Sequence, residues 1–479
     1  MGGVALGAAF FSEVARRFGL KSLIGIRRED KNRWERRTPL VPAHVEELAQ
    51  KHGIELLVQP SELRVFPDEE YERAGAVVHE DLSICPVVLA VKEIPTELLR
   101  KERTYVFFSH TIKGQSQNMA MLRRLMELGC DLIDYERIVD DEGRRLIFFG
   151  RHAGLAGMID TLWALGKRLK EGDGEGEGIE TPLLDLYPAH AYRSLGEAKE
   201  AVAMVGQKLA KNGVPEALRP LVCGFAGYGH VSQGAQEIFD LLPVETLSPE
   251  ELLGADMDEL AKQSRTTFKV VFQEEDMVQP KEEGGRFELQ DYYHHPERYE
   301  GKFGAYLDRL TVLMNCIYWE ERYPRLVTKA RLEELYAEAE KKGRGRGEGS
   351  EAGGIKLRMI GDVSCDVEGA VEATVKATDP GDPVFVYDPV AEEAKMGFSG
   401  RGVGVLAVDN LPCELPKESS EQFSEALKGF VAELAGADMR APVEECGLGE
   451  ELRRALVLHR GKLTPEYDYI KEFLQGATE

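Results

Sequence analysis

A chain of 479 residues with 43% hydrophobic content is long enough for more than one core, because single cores stop growing at roughly 250 to 300 residues. Its 60 Lys+Arg against 84 Asp+Glu give a formal charge of -24, which repels phosphate backbones and anionic membranes and argues against a nucleic-acid partner. No run of about 18 apolar residues occurs to span a membrane, and seven cysteines without a CxxC pair point to a reduced compartment with no metal site.

The opening MGGVALGAAFFSEVARRFGLKSL sets Arg16, Arg17 and Lys21 on an apolar background, in the manner of a mitochondrial presequence. Glu13 and the scarcity of serine favour a plain N-terminal helix instead, so cytoplasm and mitochondrial matrix are both compatible. Residues 23–26 then read as a strand, 39–51 as a helix stopped by Gly53, and 54–58 as a strand. Strands are predicted again at 87–91 and 105–108, and a helix at 116–128 with Ser116 as N-cap and Gly129 as stop. Strand and helix in alternation predict an α/β chain with parallel, doubly covered sheets.

Two low-complexity stretches, EGDGEGEG (171–178) and KKGRGRGEGSEAGG (341–354), are too polar and glycine-rich to pack and read as loops or linkers. A helix at 194–212 is expected to carry the chain into a second unit, with a boundary near residue 215. That unit begins with the apolar run 220–225 and continues through strands at 310–318, 357–362 and 405–408, interrupted by a polar insert at 257–306. From residue 419 the chain reads as helices, 422–434 and 450–457, that pack back on the first domain. The expected division is therefore 22–214, 215–418 and 419–479.

Gly227-Tyr228-Gly229-His230-Val231-Ser232-Gln233-Gly234 follows a strand and opens a helix. Glycines there permit a tight turn and let backbone amides approach a pyrophosphate at a helix N-terminus. The third glycine of GxGxxG would fall at Ser232 and stands at Gly234 instead, so a plain glycine-rich turn is the competing reading. Some 20 residues on, where an acid would meet a ribose hydroxyl or an arginine a 2′-phosphate, Glu245 is the only acid near the expected place and no arginine stands beside it.

The first unit carries Arg27, Arg28, Glu29, Lys31, Glu35, Arg36 and Arg37 between a strand and a helix. Most of these suit a solvated loop, but one or two guanidinium forks there could hold carboxylates. Lys92 ends the run VVLAVK and His110 ends VFFSH. Each stands at the exit of a strand, where open α/β sheets place their ligands, although a strand's first solvated residue is often polar for no further reason.

Ten blocks in order resemble the lysine-ketoglutarate reductase portion of aminoadipic semialdehyde synthases, within the alanine dehydrogenase and saccharopine dehydrogenase superfamily. They are REDKNRWERRTPLVPAHV (28–45), VKEIP (91–95), FFSHTIKGQ (107–115), LIDYERIVD (132–140), FGRHAGLAGMID (149–160), GYGHVSQGAQ (227–236), HHPERY (294–299), NCIYWE (315–320), DVSCD (362–366) and VDNLPCELP (408–416). The resemblance implies two Rossmann-like doubly wound domains, an alanine dehydrogenase-like N-terminal domain and a dinucleotide-binding domain, with substrate in the cleft between them. It also implies NADPH as the usual donor of the animal and plant enzymes and NAD for the fungal ones. Because the sequence stops at Glu479, only the first activity of the two-enzyme relatives is expected.

By position, the resemblance makes Lys92 and His110 the acid/base pair and Arg37 the arginine for a substrate carboxylate. Glu35, Glu93, Glu136 and Asp366 fall where related enzymes place acids around the reacting centre, with Lys113 and Arg145 as cationic partners. Gly227, Gly229, His230, Val231 and Gly234 belong to the pyrophosphate turn, Asn315 and Ile317 to the loop near the nicotinamide, and Asp366 to the same neighbourhood. The implied reaction joins L-lysine to 2-oxoglutarate and reduces the imine to saccharopine, with no metal, in lysine degradation. An NAD-dependent lysine-forming enzyme, an alanine dehydrogenase-type enzyme and an inactive nucleotide-binding relative are the alternatives. A lysine near 10.4 is a poor base at neutral pH, so Lys92 would need desolvation or a neighbouring cation such as Arg37 to lower its pKa; a histidine titrates in that range unaided.

Overall fold

A computed structural model describes residues 23–172, 178–344 and 355–476 of the chain. The N-terminal opening and most of both low-complexity stretches lie outside the described residues. The chain divides into two compact units, one made of residues up to Phe149 together with those from Pro416 onward, the other of Gly150–Leu415.

In the first unit the apolar runs become β1 (Leu23–Ile26), β2 (Glu55–Val58), β3 (Val77–Val78), β4 (Val87–Leu89), β5 (Thr104–Phe107) and β6 (Asp131–Asp134). These pair in parallel in the order β6-β5-β4-β1-β2-β3. All residues of β1, β4, β5 and β6 are buried, which is why they read as continuous hydrophobic runs. The chain leaves β1 in one direction and returns at β4 to run in the other, so the crevice at their carboxyl ends is the topological switch point, where such sheets bind ligands.

The helix Pro42–His52 starts on a proline in its first turn and ends at Gly53 with φ 64, a left-handed cap that glycine supplies without strain. The helix Ser116–Glu127 begins one position earlier than its predicted cap, with Gln115 at the N-cap. Because Gln115 makes no capping bond, the serine was the stronger sequence signal but not the residue used.

The second unit contains β7 (Leu221–Ala226), β8 (Val244–Leu247), β9 (Thr267–Phe272), the short pair β10 (Val278–Pro280) and β11 (Tyr299–Gly301), β12 (Val312–Asn315), β13 (Met359–Asp362), β14 (Val384–Asp388), β15 (Glu393–Met396) and β16 (Val403–Leu406). Its main sheet runs β15-β14-β16-β13-β12-β7-β9-β8, parallel from β8 to β16 and closed by antiparallel β14 and β15. β9 thus lies inside the predicted polar insert: TFKVVF is a sheet strand, and its acidic sequel disguised it. The predicted strand at 310–318 shortens to β12, because the residues after Asn315 leave the sheet as a loop.

The domain boundary falls at residue 150 rather than near 215. The helices Gly150–Glu171 and Leu195–Asn212 place Leu155, Ile159, Leu162, Val202, Val205 and Leu209 in the same core cluster as Phe225 of β7, so burial assigns them to the second unit. The helix Gly150–Glu171 also crosses the helix His230–Phe239 at two glycines. A Cβ on Gly154 would overlap the Val231 carbonyl oxygen, and one on Gly234 would overlap that of Arg151.

From Pro416 the chain belongs to the first unit, where the helix Pro416–Gly436 packs on Pro42–His52. The predicted second helix, 450–457, is a helix only over Glu450–Arg454. Val457 lies in β17 (Leu456–His459), which pairs antiparallel with β6 and is followed by β18 (Lys462–Leu463).

Candidate functional site

Four adjacent strands of the first sheet deliver polar residues to one edge. After β1 come Arg27 and Glu29, after β4 Lys92 and Glu93, after β5 Ser109 and His110, and at the end of β6 Asp134, then Glu136. Pairing continues past the strand limits, with the Ala90 amide on the Val106 carbonyl (3.0 Å) and Phe108 on Val91 (3.1 Å), so Lys92 and His110 emerge from neighbouring, hydrogen-bonded segments.

Glu29 fixes the Lys92 turn. Its carboxylate accepts from the amides of Val91 (2.7 Å) and Lys92 (3.0 Å), and burial, with the charge of Glu35, raises its pKa to about 7. Lys92 is half-buried, and its pKa is lowered first by burial and then by the Arg37 guanidinium, against the opposing charges of Glu35 and Glu93. Desolvation and a nearby like charge both favour the neutral amine, which is the form a base requires.

Arg37 is itself 2% exposed and Glu35 1%. The arginine donates through Nε (2.7 Å) and Nη2 (2.5 Å) to both oxygens of Glu35 and lies 4.2 Å over the Phe149 ring. The loop that carries the pair is held by the C-terminal helix, since Ser420 Oγ accepts from the Thr38 amide and Ser424 Oγ from that of Val41, each at 3.0 Å.

Glu93 joins two cations. Oε1 meets His110 Nδ1 at 2.5 Å and Oε2 meets Lys31 Nζ at 3.0 Å. Burial alone would raise its pKa, but the hydrogen bond and charge of His110, with Lys31, outweigh it and bring the value down to about 2. His110 has φ 48, a region that costs a non-glycine residue energy and persists only where neighbours impose it. The neighbours are identifiable: Asn118 Nδ2 donates to its carbonyl (3.2 Å), and Ser109 donates its amide and its hydroxyl to Asp134 Oδ2 while its Oγ also bonds Thr111 Oγ1 (2.7 Å). Burial and the charge of Glu136 raise Asp134 to about 6.

Sequence reasoning missed Glu29, Ser109, Thr111 and Asp134 as site builders, although each stands within four residues of a strand end. Glu136 and Arg145 pair with each other at 3.3 Å, and Lys113 is exposed on the turn after His110.

On the second unit the glycine turn occupies the corresponding switch point, between β7 and β12. Gly227 has φ 91, its amide donates to the Phe272 carbonyl (2.9 Å), and a Cβ there would lie 3.0 Å from Ile317 Cγ2. Gly229 is the N-cap of the ten-residue helix His230–Phe239, and a Cβ on it would meet nothing within 4 Å. Exposed Gly229 and His230 thus leave an open cradle at a helix N-terminus, which fits a dinucleotide pyrophosphate. Gly234 lies in mid-helix and is consumed by helix crossing, so its absent side chain serves packing rather than the turn. Asn315 Nδ2 donates to Asp362 Oδ1 (2.8 Å), which also accepts from the Cys365 amide (3.1 Å); this ties together the loops that carry Ile317 and the exposed Asp366.

Family models for the alanine dehydrogenase/PNT N-terminal domain and C-terminal domain match residues 25–156 and 358–466. The chain belongs to the alanine dehydrogenase/PNT family. Among curated proteins it is 39% identical over 471 residues to alpha-aminoadipic semialdehyde synthase of Arabidopsis thaliana, covering 95% of this chain and 42% of that protein. It is 37% identical to the mitochondrial alpha-aminoadipic semialdehyde synthase of Bos taurus, covering 95% and 48%. The chain spans about half the length of these synthases. Saccharopine dehydrogenase [NAD(+), L-lysine-forming] of Emericella nidulans is 26% identical, covering 84% of this chain and 89% of that protein. Among solved structures an L-alanine dehydrogenase shares the fold, with TM-score 0.58 at 19% identity over 94% of this chain and 99% of that one.

Proposed function

We propose that this chain is a lysine-ketoglutarate reductase, joining L-lysine to 2-oxoglutarate and reducing the imine to saccharopine, reversibly, in lysine degradation. The observation that carries the reading is Lys92, a strand-exit lysine whose pKa is lowered by burial and by Arg37, set beside the His110–Glu93 pair on a chain whose relatives are the synthases above.

The ε-amine of the substrate must lose its proton before its lone pair can attack the ketone. Lys92 in its neutral form takes that proton, and His110, oriented by Glu93, gives one to the departing hydroxyl of the carbinolamine. The reduced nicotinamide supplies the hydride when bound, and the resemblance implies NADPH as that donor, with NADH as the alternative. Gly227, Gly229, His230 and Val231 would hold its pyrophosphate, and Asn315 and Ile317 would serve its nicotinamide end. Arg37 supplies the cation for a 2-oxoglutarate carboxylate, which competes with Glu35 for the guanidinium, while Lys113, Arg145, Glu136 and Asp366 serve the remaining charged groups of the substrates.

The test is an absorbance assay of nicotinamide oxidation. Turnover that requires both lysine and 2-oxoglutarate supports the proposal; turnover with pyruvate and ammonia, or nucleotide binding without any turnover, overturns it.

Two variants read the electrostatics. Arg37→Ala is expected to raise KM for 2-oxoglutarate about tenfold or more, as loss of a charged hydrogen bond does. It should also move the ascending limb of the kcat/KM pH profile to higher pH, because removing a cation raises the pKa of Lys92. Glu35→Gln should move that limb to lower pH, because removing an anion lowers it. A normal KM for Arg37→Ala with both limbs unmoved would take the pair out of the site.

A further inference from the structure

The reading of the second unit as a dinucleotide site leaves open which residue meets the adenosine ribose. In a Rossmann sheet that residue stands at the carboxyl end of the strand beside the glycine-turn strand, where a carboxylate accepts from the ribose hydroxyls and repels a 2′-phosphate. Spacing along the chain points to β8 and Glu245. The pairing does not.

The strand hydrogen-bonded to β7 is β9, and β8 is the edge beyond it. Glu245 pairs in register with Phe268, which pairs with Val222. It is therefore two strands out, about 10 Å across, and four residues short of Ala226, about 13 Å below the turn. β9, by contrast, ends level with the turn: Ala226 pairs with Phe272, whose carbonyl accepts the Gly227 amide.

Directly after Phe272 come Gln273, Glu274, Glu275 and Asp276. Glu274 Oε1 accepts from the Tyr293 hydroxyl at 2.7 Å, and the phenol of Tyr228, the residue between the two glycines, is held above its usual pKa first by the Glu274 charge. Tyr228 is 44% exposed and Tyr293 36%. Two tyrosines and one carboxylate therefore gather at the rim of the glycine turn. A carboxylate offers about four acceptor positions, so bonds from Tyr293 and Tyr228 leave two of them for a ribose diol.

We infer that Glu274 is the ribose-recognising acid of this chain and that it selects NADH over NADPH, because the inserted strand β9 puts it, and not Glu245, beside the glycine turn. This rests on the dinucleotide reading of the second unit and moves the donor away from the NADPH that the resemblance implies.

The test is direct titration of the full-length chain with NADH and with NADPH, followed by nicotinamide fluorescence, for the unaltered protein and for Glu274→Gln, Glu274→Ala and Glu245→Gln. Unaltered protein should bind NADH about tenfold or more tightly than NADPH, and both Glu274 variants should narrow that ratio by about tenfold, with Glu245→Gln leaving it in place. Tighter binding of NADPH by the unaltered protein, or a ratio that follows Glu245 and ignores Glu274, overturns the assignment while leaving the dinucleotide site standing. Binding of neither nucleotide overturns the site itself, and the assignment with it.

Discussion

Replacing Lys92 by methionine is expected to lower kcat by about 100-fold or more while KM for either substrate moves only a few-fold, the pattern for loss of a proton-transfer group. Methionine keeps most of the length and the apolar stem and removes the amine. The environment of Lys92 already disfavours its charge, so an uncharged side chain of similar length there is expected to cost little stability. An unchanged melting temperature is part of the expected result and separates a lost rate from unfolding. The ascending limb of the pH profile should vanish with the amine. An unaltered kcat would remove Lys92 from the chemistry and leave His110 and Glu93 to carry it alone.

The second large effect concerns two glycines. Gly234→Val is expected to destabilise the second unit by about 3 kcal/mol, as overpacking against a rigid backbone does, and to lower its melting temperature by several degrees. The cause is geometric, since any side chain there drives into the Arg151 carbonyl, and one on Gly154 into that of Val231. Gly154→Ala and Gly234→Ala together should cost less than the sum of the two, because either one alone already forces the same pair of helices apart. Gly229→Ala is the control. Its φ of -72 suits any residue and its Cβ meets nothing, so it should melt like the unaltered chain while binding dinucleotide more weakly. A Gly234→Val protein of normal stability would show that the crossing can relax.

In the first sheet β1, β2, β4 and β5 were legible because their runs are almost wholly buried, which leaves no alternation to misread, whereas β3, two half-buried residues, and β6, DLID with an acid at each end, were not. Lys92 and His110 stand out at the ends of the β4 and β5 runs. Their partners do not: nothing in the local sequence says that Glu29, over 60 residues away, clamps the Lys92 amide, or that Asp134 holds Ser109, because β1, β4, β5 and β6 are brought together only by sheet order. The helix Gly150–Glu171 escaped notice for the opposite reason. Fifteen of its 22 residues are buried, so it has no polar face to set a period, and the sequence GRHAGLAGMIDTLWALGKRLKE looks like neither an amphipathic helix nor a strand. β9 was hidden by its acidic sequel, and its place beside β7 could not be read at all, since order in a sheet is set by crossover packing that leaves no local mark on the residues.

The first unit is assembled from both ends of the chain around an inserted second unit. During synthesis the polar backbone edge of β6 emerges more than 300 residues before β17, the strand that covers it through the Asp134 amide on the Ala455 carbonyl (3.0 Å) and their shared ladder. The inserted segment, being contiguous, can close its own core on the ribosome, while the half that holds Lys92 and His110 waits with an open strand, an invitation to wrong pairing. Sealing of the first sheet therefore waits on β17, and a nascent chain released before Leu456 would carry a closed second unit and an unsealed first sheet.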